Sequence, residues 1–196
     1  MLISKSISII KNKKTILFVS FLFFFSVNIF SQQLRCGIYG VSQFPVGEAS
    51  EYFINTSGEC VSAELSFFKN FGGSVRIQYS FVFPKDERIE SSRQFAQLFG
   101  LWYRFPLGEK GFAFQPIFEF GFINQETKFD KDYGSLSKDN YMDVMLQFSP
   151  SIRFSNKHFL DNRVEIEFSP LWSIIPEQTI GLPFIGARLS IIYIFN

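Results

Sequence analysis

The sequence holds one histidine, His158, and two cysteines, Cys36 and Cys60, in 196 residues. A single imidazole and two well-separated thiols offer no metal-ligand spacing, so neither a metal nor another cofactor is expected. His158 lies in NKHFLDN, a polar stretch whose composition marks a solvated turn. A histidine-based enzyme is therefore not expected. No phosphate-cradling loop occurs, and the glycines of GFG and FGG read as strand or turn glycines. No basic stripe is present, which excludes a nucleic-acid partner. Beyond residue 30 no apolar run reaches the length of a membrane-spanning helix. The helical period of 3.6 is almost missing from the chain. The acidic stretch KFDKDYGSLSKDN, 128 to 140, lacks EF-hand spacing, and its interleaved lysines read as a solvated loop. KDERIESSR, 85 to 93, reads the same way.

The N-terminus carries the one long apolar run. MLISKSISIIKNKK is basic, with Lys5, Lys11, Lys13 and Lys14 and no acid. TILFVSFLFFFSVNIF follows, then the polar SQQ. A basic region, a short apolar region and a small residue before a polar start define a secretory signal peptide. Residues 1 to 31 are assigned to it, with cleavage after Ser31, and residues 32 to 196 to one domain. The apolar run is too short and too interrupted for an uncleaved anchor. Its removal takes four of the 19 Lys and Arg and none of the 18 Asp and Glu, leaving a net charge of −3. An exported chain can oxidise Cys36 and Cys60, which flank one expected loop. A disulfide between them and two free thiols both stay open.

Phenylalanine is the abundant residue, with 28 copies, more than an ordinary core needs. These residues fall on period-two faces. FAFQPIFEFGF, 112 to 122, sets Phe112, Phe114, Phe118, Phe120 and Phe122 against Ala113, Gln115, Ile117, Glu119 and Gly121. Seven further segments alternate likewise, at 34 to 41, 60 to 68, 74 to 83, 95 to 105, 141 to 154, 163 to 172 and 185 to 195. The connections alternate in length. Residues 69 to 73, 106 to 111 and 155 to 162 are short, whereas 42 to 59, 84 to 94, 123 to 140 and 173 to 184 are long. Long loops at one end and short turns at the other suit an outer-membrane barrel. Segments of nine to eleven residues also match a tilted strand crossing a bilayer.

The expected fold is an all-β, eight-stranded antiparallel up-and-down transmembrane β-barrel. Its aromatic face meets lipid, because so many rings do not fit inside eight strands. The opposite parity then places Glu64, Glu119, Asp143, Glu165 and Glu167 inside with Arg76, Arg104, Arg153 and Arg188. Paired charges fill the interior as a plug, since isolated buried charge is costly. Tyr79, Tyr103, Trp172 and Tyr193 are candidates for aromatic girdles at the membrane interfaces. Pro116, Pro150 and Pro170 lack ladder donors, so bulges or irregular pairing are expected there.

The signal peptide, the eight alternating strands, the four long loops and the terminal IIYIFN resemble the small outer-membrane β-barrel proteins of the OmpA transmembrane-domain and OmpX type. The resemblance covers residues 34 to 196 and is architectural. It implies outer-membrane lipid as surroundings and the outer-membrane assembly machinery as a partner, which reads a terminal aromatic pattern. Tyr193 and Phe195 match that insertion signal, and Asn196 departs from it. The expected role is structural or interactive, in a porin-like Gram-negative cell-envelope protein whose extracellular loops meet a protein partner. The alternatives are a soluble lipocalin-like barrel around an apolar ligand, a small solute pore and an outer-membrane enzyme.

Overall fold

The computed structural model describes residues 33–47, 49–108, 111–130, 138–155, 163–176 and 181–195. The expected signal peptide, His158 and Asn196 lie outside the described residues. The strands are β1 (Leu34–Pro45), β2 (Phe53–Phe68), β3 (Phe71–Pro84), β4 (Ile89–Tyr103), β5 (Phe105–Leu107), β6 (Phe112–Phe129), β7 (Lys138–Ser155), β8 (Val164–Pro176) and β9 (Gly181–Phe195). A single helical turn, α1 (Ala49–Tyr52), lies between β1 and β2.

Every neighbouring pair is antiparallel. β1 is paired to both β2 and β9, and the β4–β6 ladder closes the ring. β5 continues the line of β4, so nine segments form eight staves of a closed barrel. The closing β1–β9 ladder runs from Leu34↔Phe195 to Pro45↔Phe184 without a break. Closure gives each of the eight staves two neighbours, which a sheet in lipid requires because its backbone has no water partner there.

Two facing walls follow from the strand period of two. Ile38, Phe81, Phe118, Phe120, Leu189 and Ile191 point outward and are exposed. The intervening residues point inward and are buried. The phenylalanines of the opening pattern thus coat the outside and line no internal ligand cavity. Inward glycines accommodate the tight curvature of an eight-stranded ring. A Cβ on Gly121 would sit 1.8 Å from the Gln97 carbonyl oxygen, and one on Gly186 2.2 Å from that of Ser42. Only a residue without a Cβ lets adjacent backbones approach so closely.

The strands run past the apolar segments read from the sequence. β6 and β7 are each 18 residues long. The described strands reach into the segments expected as long loops, with β2 beginning at Phe53, β3 ending at Pro84, β4 beginning at Ile89, β6 ending at Phe129 and β8 ending at Pro176. The physical reason is that the sheet continues where both its faces are polar. Gln94 donates to Gln125 at 2.9 Å, and Ser92 and Thr127 are hydrogen-bonded at 3.1 Å. Such a stretch keeps its backbone ladder while losing the apolar alternation that announces a strand.

The three prolines form one outward row across β6, β7 and β8. Pro116 faces Pro150 in a β6–β7 register that runs unbroken from Phe112↔Phe154 to Lys128↔Lys138. Of the bulges or irregular pairing expected at the prolines, no register shift occurs here, and the irregular pairing falls on the neighbouring ladders. Between β7 and β8 the pairing lapses from Ser149 to Ser151 and resumes in the same register at Ile152↔Phe168. In an antiparallel ladder hydrogen-bonded and non-bonded pairs alternate. Pro116 and Pro150 form a non-bonded pair and lose nothing. Pro150 and Pro170 then occupy a bonded pair with neither donor. Their missing bonds remove three consecutive rungs. The same parity aims Pro116 at Tyr103, and pairing with β6 lapses at Tyr103 and Arg104. That lapse is what divides β4 from β5.

Candidate functional site: the barrel interior

The inward residues sort by height as well as by sign. On the side of the short turns the interior is a charge network. Arg153 on β7 donates to Glu64 on β2 through two bonds of 2.7 and 2.5 Å. Its Nε donates to Glu167 on β8 at 2.6 Å. One guanidinium therefore ties three strands together across the interior. Arg104 clasps Glu165 through bonds of 2.6 and 3.1 Å. Arg76 is bonded to Glu119, which also accepts from Gln147 at 3.1 Å and lies 3.6 Å from Arg188. Arg188 reaches Glu167 at 3.1 Å. Tyr39 donates to or accepts from Ser62, and its ring lies under the guanidinium groups of Arg76 at 4.9 Å and Arg188 at 5.0 Å. Cation–ring contacts of this kind strengthen when water is excluded.

Eight of the nine charges assigned to the interior from sequence meet there: Glu64, Arg76, Arg104, Glu119, Arg153, Glu165, Glu167 and Arg188. Asp143 does not. It holds the inward parity but lies farther up β7, bonded to the Tyr141 hydroxyl and the Val144 amide. Arg35 takes a place that the sequence reading missed. It is buried, donates to Ser66 at 3.2 Å, approaches Glu165 at 4.0 Å and stacks 5.5 Å from the Trp102 ring. The signal was available, because Arg35 shares the parity of Tyr39 on a glycine-diluted strand. The network thus joins five arginines and four glutamates, in place of the five acids and four bases expected.

Above the charges lies an apolar layer that the sequence reading did not anticipate. Ala96, Leu98, Ile123, Met145, Ile175 and Phe184 form one buried cluster from five strands. The Gln94–Gln125 and Ser92–Thr127 pairs lie beyond it. The layer places apolar side chains of β4, β6, β7, β8 and β9 beside the loop-side face of the charge network, and a less polar surrounding strengthens ion pairs.

Cys36 and Cys60 are free thiols. Cys36 lies on the outward parity of β1 opposite Ala63, and Cys60 on the inward parity of β2 opposite Tyr39. The barrel wall separates their side chains, so the disulfide left open by the sequence does not form. Tyr79, Tyr103 and Trp172 point outward and are exposed, while Tyr193 is half-buried. Tyr103 and Tyr193 lie near the turn-side ends of their strands. Tyr79 and Trp172 lie in the loop-side halves. Phe195 ends β9, with its ring 4.8 Å from Tyr193. Among the described residues no group of three or more His, Cys, Asp or Glu is placed to hold a metal.

No protein-family model matches the chain, and no curated protein matches it. Solved structures do. Ail, the attachment invasion locus protein of Yersinia pestis, in complex with the heparin analogue sucrose octasulfate, aligns at 14% identity and a TM-score of 0.55 over 83% of this chain and 99% of Ail. Neisserial surface protein A aligns at 8% and 0.54 over 82% and 95%. OprG, an outer membrane protein of Pseudomonas aeruginosa, aligns at 9% and 0.53 over 85% and 97%. The fold is that of the small eight-stranded outer-membrane barrels.

Proposed function

We propose that the chain is an integral outer-membrane protein of a Gram-negative cell envelope, exported through a signal peptide cleaved near Ser31. Its role is structural or interactive, without catalysis. The carrying observation is the inversion of the two walls, with phenylalanine outside and buried ion pairs inside. The interior is filled by side chains, so the barrel acts as a plug and does not conduct solutes. Tyr193 and Phe195 supply the terminal aromatic pattern read by the assembly machinery. The end formed by 46–59, 85–93, 126–143 and 177–180 faces the cell exterior. It carries 12 acidic and 6 basic residues in the sequence. That sign opposes recruitment of a sulfated sugar such as the heparin analogue held by Ail, so a contact made there involves a different chemistry.

Fractionation of an expressing cell tests this reading. The protein is expected in the outer-membrane fraction, extracted only by detergent, with boiled and unboiled samples migrating differently on a detergent gel. A mature chain fully soluble without detergent contradicts it.

A further inference from the structure

The β7–β8 seam is the place where the described ladder between these long strands loses three rungs, from Ser149 to Ser151. The cause is the Pro150–Pro170 pair, which presents two carbonyl oxygens and no donor. In a bilayer such a gap is not repaired by water. The loss does not lie at the junction of the first and last strands, where the β1–β9 register is continuous. It lies within the chain, in a hairpin otherwise paired at both ends.

Side chains cross the same seam from the inside at the four inward positions of β7 from Gln147 to Arg153. Gln147 accepts from Ser173 at 3.2 Å. Ser151 and Ser169 are bonded at 2.5 Å. Arg153 donates to Glu167 at 2.6 Å. Ser149 is reached by Arg188 at 3.2 Å, and the same Arg188 nitrogen contacts Glu167 at 3.1 Å and Ser169 at 3.4 Å. Arg188 projects from β9 over β8 and ends on β7. Outside, Phe148 and Trp172 stack across the seam with ring centres 6.1 Å apart.

We propose that the β7–β8 seam is a latched opening in the barrel wall. The proline pair removes the backbone bonds that would make the wall continuous. Arg188, the Ser151–Ser169 pair and the Arg153–Glu167 pair hold it shut from the interior. Release of these contacts parts β7 from β8 locally and joins the interior to the bilayer, while the other ladders stay formed. The charge network is thus a latch on a particular seam as well as a filling.

Amide hydrogen exchange of the refolded full barrel in detergent micelles, resolved by residue, tests the proposal. The amides that bound the gap, at Phe148, Ile152, Phe168 and Trp172, are expected to exchange about tenfold faster than those of the β1–β9 seam, as a locally opening unit does. Ser151→Ala with Ser169→Ala widens that ratio by about another tenfold, and Arg188→Ala does the same where that variant folds. Restoring donors with Pro150→Val and Pro170→Val closes the ratio to within about twofold and removes the effect of the serine substitutions. Equal exchange at the two seams in the unaltered protein overturns the proposal. So does a serine effect that spreads equally over all seams, or one that persists after the prolines are replaced.

Discussion

Arg153 joins carboxylates from β2 and β8, so its charge has partners on both sides of the interior. Truncating one member of such a group strands the others without water. Arg153→Ala is therefore expected to destabilise the barrel by about 3–5 kcal/mol in a urea titration in lipid vesicles. Asp143→Asn, at a carboxylate outside the network, is expected to stay within about 0.5 kcal/mol. Equal costs at the two positions would remove the distinction between network and rim. Residue types were readable in advance wherever parity was clear. Glu167 and Arg153 fall on clean alternating segments. Arg35 was not found, because Gly37 and Gly40 dilute β1 and leave its apolar face weak. Asp143 was misplaced because parity reports the face a side chain takes and not its height.

Strands β3, β6 and β9 announce themselves through an outward apolar row, and their positions follow from it directly. Their loop-side extensions do not. From Gln125 to Lys128, β6 is polar on both faces yet paired throughout with β4 and β7. Here the strand is imposed by its neighbours and not by its own pattern, a tertiary effect that single-sequence periodicity cannot register. The prolines divide in the same way. Their presence on one face was evident, whereas the alternation of bonded and non-bonded pairs decides which of them costs a rung. The outward row makes a graded prediction of its own. Phe118→Arg, in the middle of β6, is expected to cost about 2–4 kcal/mol of folding free energy in a bilayer. Ser57→Arg, on the same outward face at the loop end of β2, is expected to cost about 0–1 kcal/mol. Similar costs at both sites in vesicle refolding would mean that β6 does not cross the hydrocarbon.

At the scale of the whole molecule, three layers stack inside one barrel: a charge network, an apolar layer and a polar rim. The eight-stave architecture was legible because many segments repeat one pattern. The apolar layer was not, because its members come from five strands at positions that only register aligns. Phe184 fell in an expected loop, and Met145 sits inside a polar inward row. The central claim is that the wall has an apolar outer face in lipid and a dry, charged inner face. The two tryptophans report on it separately, since Trp172 is half-exposed outside while Trp102 is buried within, bonded to the Gly73 carbonyl. Fluorescence quenching by brominated lipid, in the Trp102→Phe and Trp172→Phe variants, reads each alone. The account predicts strong quenching of Trp172 and little of Trp102. Strong quenching of Trp102 with a silent Trp172 would contradict it.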